Sequence, residues 1–159
     1  EKEKNIVGKV RGFEVAKGFE DKNINLPVRK TKKSAGYDME AAEDCVIPAY
    51  KFGQKPTLVK TGLKAYMPDD EYLMLCNRSS NPGKKGLILA NSVGIVDSDY
   101  YGNPDNDGAI MFAFFNFFEH DLEIKKGDVL GQGIFLKYYT VDNDKAEGDR
   151  VGGFGSTNK

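Results

Sequence analysis

The chain has 159 residues, 30% of them charged, and a formal net charge of −1. That length suits one domain with its own apolar core, and the near-zero charge removes the global basic field that long nucleic acid needs. A single phosphorylated small molecule stays open, because a few local cations suffice for it.

The start, EKEKNIVGKV, is polar, and residues 1–6 are expected to be a solvated leader. No run approaches the roughly 18 apolar residues of a membrane span, so the expectation is a cytoplasmic chain with no membrane partner. In chain order, strand-like runs occur at KVRGFEVA (9–16), DCVIPA (44–49), PTLVKTGLKAYM (56–67), EYLMLC (71–76), GLILAN (86–91), AIMFAFFNFF (109–118) and LGQGIFLKYYTV (130–141). Each is short, apolar or alternating, and bounded by turn residues. Eighteen glycines make tight turns cheap and long helices improbable. Turns are expected at Pro68-Asp69-Asp70 and at Lys125-Lys126-Gly127-Asp128, and a turn or two of helix only within NPGKKGLIL (81–89). The pattern predicts an all-β sandwich or barrel, with a jelly roll among the options. No linker or repeat divides it.

The run at 109–118 is apolar on both faces, which predicts a strand covered on both sides. The second cover is either the other layer of a sandwich or another subunit. Cys45 and Cys76 lie in strand-like runs and read as buried, unbridged thiols.

Five polar, glycine-punctuated segments are candidates for chemistry: SAGYDMEAAED (34–44), NRSSNPGKKGL (77–87), ANSVGIVDSDYYG (90–102), GDVLGQGIF (127–135) and RVGGFGSTNK (150–159). Arg78-Ser79-Ser80 before a Pro-Gly turn suits a phosphate cradle, in which a guanidinium fork and turn amides meet the oxygens. A capped short helix carrying a surface arginine fits those residues equally. Asp97-Ser98-Asp99, in a turn after VGIV, offers carboxylates for a divalent metal or for activating water. An ordinary turn with local side-chain hydrogen bonds is the plain alternative. GGFG gives a mobile tail with one aromatic, able to close over a base, or simply a disordered end. His120, between Glu119 and Asp121, reads as solvated surface. One histidine and two separated cysteines are too few for a zinc site. No Gly-Lys-Ser/Thr phosphate loop and no G-x-S-x-G elbow occurs.

Taken in series, AGYD, NRSSNPGKKGL, ANSVGIVDSDYYG, GDVLGQGIF and RVGGFGSTNK resemble the five motifs of the trimeric dUTPase family, from about residue 7 to 159. The resemblance implies a jelly-roll β-barrel over 7–141, a flexible C-terminal arm over 142–159, and a homotrimer whose sites each draw on three chains. It implies hydrolysis of dUTP to dUMP and pyrophosphate, which limits uracil in DNA and supplies dUMP for thymidylate synthesis. Asp97 would activate the water that attacks the α-phosphorus. Asp38 would support the site; Arg78, Ser79 and Ser80 would contact phosphates; Gln132 would hold phosphates and water. Asn91 would pair with uracil, helped by the main chain at Gly94 and Val96, and Tyr100 would lie against the deoxyribose. Arg150 would reach the γ-phosphate and Phe154 would stack on uracil, with Gly155, Ser156 and Thr157 in the closing arm. Mg²⁺ would be held through substrate phosphates and water, with no direct protein ligand.

Three departures from the family pattern stand out. Val129 follows Asp128 where a basic or polar residue is usual, Gly131 replaces a common alanine, and one residue rather than two separates Arg150 from GGFG. Asn103–Gly108, NPDNDG, reads as an insertion, either an inert turn or a surface for a regulatory protein partner. dCTP deaminase is a related alternative, but it uses a glutamate where this chain has Asp97-Ser98-Asp99.

Overall fold

The computed structural model describes residues 8–153. Eleven strands and one short helix follow in order: β1 (Gly12–Val15), β2 (Tyr37–Glu40), β3 (Cys45–Ile47), β4 (Thr57–Lys60), β5 (Leu63–Tyr66), β6 (Glu71–Asn77), α1 (Asn81–Lys85), β7 (Leu87–Leu89), β8 (Gly94–Asp97), β9 (Met111–Asn116), β10 (Leu122–Ile124) and β11 (Val129–Lys137). A four-stranded sheet in the order β2-β11-β6-β8 and a three-stranded sheet in the order β4-β9-β7 form the two layers, with β1-β5 and β10-β3 as antiparallel ribbons beside them. This is the expected all-β jelly-roll sandwich.

The core lies between the layers. Met39, Leu73, Leu75 and Val96 come from the first sheet and Val59, Leu87, Leu89, Phe112 and Phe114 from the second, all at most 5% exposed. Contact between the layers is close at Gly131, where a Cβ would fall 2.5 Å from the Phe112 ring and 2.7 Å from the Cys76 carbonyl oxygen. Alternation along β9 buries Phe112, Phe114 and Asn116 and turns Met111, Ala113 and Phe115 outward. That outer face is apolar: Tyr50 packs against both Phe115 and Phe117, and Leu58, Ile88 and Phe117 are about half exposed in the single chain.

Several expected boundaries move. The run 56–67 is two strands, because Gly62 takes φ 69° and the Thr61 hydroxyl donates to the Ile110 carbonyl. Tyr37–Glu40 and Gly94–Asp97, read as polar loop segments, are strands of the main sheet. Asp97 therefore ends a strand, and the turn after it is a 3₁₀ turn over Ser98–Tyr100. The helix at 81–85 is where the sequence puts it, closed by Gly86 at φ 66°. Cys45 and Cys76 are free but half-buried rather than buried. Burial pushes both thiols above their usual pKa. His120 is exposed, as expected. No described helix is long and apolar enough to cross a membrane. After β11 the chain runs without regular structure and is exposed through residue 149. The expected leader at 1–6 and the positions of Phe154, Gly155, Ser156 and Thr157 lie outside the described residues.

Candidate active site

Strand register brings three of the five motifs together. Gln132 on β11 stands opposite Asp38 on β2 and opposite Cys76 on β6, so the first, second and fourth motifs occupy adjacent strands. The Gln132 amide donates to the Asn77 carbonyl at 3.3 Å. Gly36 lies close beside it: a Cβ there would fall 2.8 Å from the Gln132 amide carbon and push that side chain aside. Asp38 has a loose ion pair with Lys30 at 3.9 Å.

The Arg78–Ser80 turn is shaped by two asparagines that the sequence reading passed over. Asn77 Oδ1 accepts from the Arg78 amide at 2.9 Å and from Asn81 Nδ2 at 2.7 Å, while Asn77 Nδ2 donates to the Leu87 carbonyl. Asn81, 1% exposed, also donates to the Leu130 carbonyl at 2.9 Å. This turn is therefore held from below by side chains rather than by a cap, and Ser80 makes no capping hydrogen bond to α1. Ser79 is exposed. The only sequence signal was an asparagine at the end of a strand and another four residues on, a weak one.

The third motif lies elsewhere. β8 pairs with β6 so that Asp97 faces Tyr72 and Gly94 faces Leu75. From Tyr72 to Asn77 the strand runs about 17 Å, so Asp97 and the Arg78 turn sit at opposite ends of one sheet. Val96 and Gly94 point inward and Asp97 outward. Asn91 is exposed in the bend between β7 and β8, where Ser92 takes φ 63°. Tyr100 is 5% exposed, and its hydroxyl donates to the Ala109 carbonyl at 2.9 Å. Burial raises the Tyr100 phenol above its usual pKa, against the opposing pull of the Asn106 hydrogen bond and the nearby Arg150 charge.

Arg150 joins this second group. Its Nη2 donates to Asp97 Oδ2 at 2.5 Å and its Nε to Asp99 Oδ1 at 2.7 Å, with only 14% of the arginine side chain exposed. Burial alone would lower the guanidinium pKa, but Asp99 and Asp97 outweigh it and hold it above the usual value. Beyond it, Gly152 is buried and Gly153 lies alongside Tyr100 and Asn106.

Within one chain the expected site residues thus form two clusters, Asp38–Arg78–Ser79–Gln132 and Asp97–Asp99–Tyr100–Arg150, which the fold does not bring together. A site holding both Asp97 and Arg78 needs two chains. The insertion 103–108 folds inward, with only Pro104 and Asp105 exposed. Among the described residues no three carboxylate, imidazole or thiol groups converge to hold a metal.

The motif order and this architecture agree with what the chain is similar to. The dUTPase family model matches residues 22–158. The deoxyuridine 5′-triphosphate nucleotidohydrolase of Lactococcus lactis is 46% identical over 151 residues, which is 94% of this chain and 98% of that one. The crystal structure of dUTPase from Streptococcus mutans aligns with a TM-score of 0.77 at 43% identity, covering 83% of this chain and 99% of that one. The dUTPase from phage phi11 of S. aureus shares the fold, with a TM-score of 0.68 at 19% identity over 93% of this chain and 99% of that one. With five motifs in series on a jelly roll and a family match across nearly its whole length, the chain belongs to the dUTPase family.

Proposed function

We propose that this chain, a dUTP diphosphatase by family, hydrolyses dUTP to dUMP and pyrophosphate at sites assembled between the subunits of a homotrimer. The observation that carries the composite site is the spacing along β6: Asp97 lies opposite Tyr72, a strand's length from the turn at Arg78. Only a second copy can bring an Asp97 to an Arg78. The apolar outer face of β9, with Leu58, Ile88 and Phe117 half exposed, supports cover by another subunit.

In the proposed reaction the Asp97 carboxylate takes a proton from water as its oxygen bonds to the α-phosphorus. The bond from that phosphorus to the bridging oxygen breaks, and pyrophosphate leaves with the electron pair. Arg78, Ser79, Ser80 and Gln132 hold the phosphates, the guanidinium by its fork and Gln132 through an amide already fixed on the Asn77 carbonyl. Asp38 supports them from the neighbouring strand. Asn91, with the main chain at Gly94 and Val96, reads the uracil edge, and Tyr100 faces the deoxyribose. Arg150, Phe154, Gly155 and Ser156 close the site. Mg²⁺, when bound with the substrate, neutralises phosphate charge.

Pyrophosphate release in Mg²⁺ from dUTP, dCTP, dTTP and UTP, run in parallel, tests the reading. Release from dUTP alone is expected. Ammonia from dCTP would move the chain to the deaminase branch, and no release from any of the four would remove the catalytic reading.

A further inference from the structure

The Asn103–Gly108 segment buries Asn103 and engages the side chains of Asn106 and Asp107 with the rest of the chain. Asn106 Oδ1 accepts from Asn103 Nδ2 at 3.1 Å and from the Gly108 amide at 3.0 Å. Both partners are donors, and a backbone N–H cannot reverse its role, so the carboxamide can face only one way. Its Nδ2 is therefore aimed at the Tyr100 hydroxyl, to which it donates at 2.7 Å. That hydroxyl then spends its own proton on the Ala109 carbonyl at 2.9 Å. A donor on one side and an acceptor on the other leave the phenol one position.

The loop that carries Asn106 is itself anchored. Asp107 pairs with Lys64 at 2.7 Å and accepts from the Lys17 amide at 2.9 Å, which ties the insertion to β5 and to the segment after β1. The Asp107 amide donates to the Asn103 carbonyl, and the Gly102 amide to the Asp107 carbonyl. Gly108 takes φ 81°, and a Cβ there would fall 2.4 Å from the Tyr100 carbonyl oxygen. Only glycine lets the chain pass so close to Tyr100.

We propose that Asn106 is a positioning residue for sugar selection: its carboxamide clamps the Tyr100 hydroxyl so that the ring presents one fixed face to the sugar of the bound nucleotide. This rests on the reading that Tyr100 faces the deoxyribose. A ring held from one end by two hydrogen bonds cannot tilt to admit a 2′-hydroxyl, whereas a ring released from Asn106 can. Discrimination by exclusion is only as sharp as the wall is rigid.

The test compares kcat/KM for dUTP and for UTP in the full-length assembly. Asn106→Asp keeps the shape and the acceptor for Asn103 and Gly108 but replaces the donor to Tyr100 with a carboxylate oxygen, so the phenol receives no hydrogen bond there and its one proton is contested between that oxygen and the Ala109 carbonyl. Its dUTP-over-UTP preference is expected to fall about five- to tenfold, the worth of one hydrogen bond. Tyr100→Phe removes that bond together with the one to the Ala109 carbonyl and is expected to lose at least the same factor. The double variant should lose no more than Tyr100→Phe alone, since Asn106 acts only through the hydroxyl that Tyr100→Phe already removes. The surface variant Asp105→Ala should keep the parental preference.

A general loss of folded protein would lower both rates together and leave their ratio alone. An unchanged ratio in a folded Asn106→Asp assembly overturns the proposal, as do fully multiplicative losses in the double variant. Should Asn106→Asp fail to fold, an unchanged ratio in Tyr100→Phe overturns it equally. Tyr100→Ala separates the two levels: if removing the whole ring leaves the ratio intact, the placement of Tyr100 on the sugar fails, not merely the role of Asn106.

Discussion

Arg150 grips the carboxylate of Asp97 in its own chain, and with Asp99 the two acids close around one guanidinium. The residue proposed to activate water is thus held by the arm proposed to close the site. For Arg150 to reach a phosphate it must leave Asp97 and Asp99, and a triphosphate supplies the competing negative charge. Arg150→Ala is expected to free the arm, because an ion pair of this exposure contributes about 1 kcal/mol. Backbone order parameters at Gly152 and Gly153 should fall from rigid toward flexible values in that variant. Unchanged order parameters would mean that glycine packing on Tyr100, not the ion pair, holds the arm.

Asp97→Asn preserves shape and removes the proton acceptor. Turnover of dUTP should drop by about 10²- to 10⁴-fold, the usual contribution of a general base. Affinity for a non-hydrolysable dUTP analogue should survive, because the proposed phosphate contacts come from Arg78, Ser79 and Gln132. Normal turnover would remove Asp97 as the base; lost affinity would make it a binding group instead.

The two-cluster arrangement makes a sharper forecast. Asp97→Asn and Arg78→Ala chains should each be inactive alone. Mixed and reassembled in equal amounts, they should recover about a quarter of the parental sites, since each site draws the two residues from different copies. If the mixture stays inactive while mixed trimers are seen by mass, both residues come from one chain and the composite reading fails.

How much of this was legible beforehand depended on distance along the chain. The jelly roll followed from short runs and glycine punctuation, which are local. Arg78 and Ser79 could be proposed as a phosphate turn because they are contiguous. β8 was missed because Gly94 begins it and Asp97 ends it, leaving two apolar residues to signal a strand. Arg150 on Asp97 joins residues far apart in the chain, and no local pattern records such a pairing. The insertion misled for a different reason. Asn, Pro, Asp and Gly announce a solvated turn, yet Asn103 is buried and Asn106 and Asp107 spend their side chains inward.

Asp107 gives the acid limb of stability a specific owner. Burial pushes its carboxyl up, but hydrogen bonds from Lys64 and from the Lys17 amide outweigh that and hold it below the usual aspartate value. A depressed folded pKa contributes stability that is present above the unfolded value of about 3.9 and is lost as pH falls through the folded one. Asp107→Asn should therefore cost about 1 kcal/mol at pH 7, leaving Lys64 without its counter-charge. The gap between parent and variant in urea unfolding should close as pH falls through the depressed folded value of this carboxyl. A gap that persists in acid would mean that the loss comes from loop geometry rather than charge.

Gly131 tests whether the departure from the common alanine is neutral. Here the space a Cβ would take is already filled by the Phe112 ring at 2.5 Å and by the Cys76 carbonyl at 2.7 Å. The ring could rotate away, but Phe112 is 1% exposed and stacks on Phe114, so any movement disturbs the layer contact. The carbonyl belongs to β6 and is held in the ladder opposite Gln132, so it cannot yield without shifting the strand that carries the phosphate turn. Gly131→Ala is expected to destabilise by about 1–3 kcal/mol, the range for overpacking a filled core. Gly131→Ala with Phe112→Leu should recover part of that loss, because the smaller side chain vacates the contested volume. If Gly131→Ala alone unfolds at the parental urea concentration, the two layers have slack at this point, and the alanine of other family members needs no compensating change.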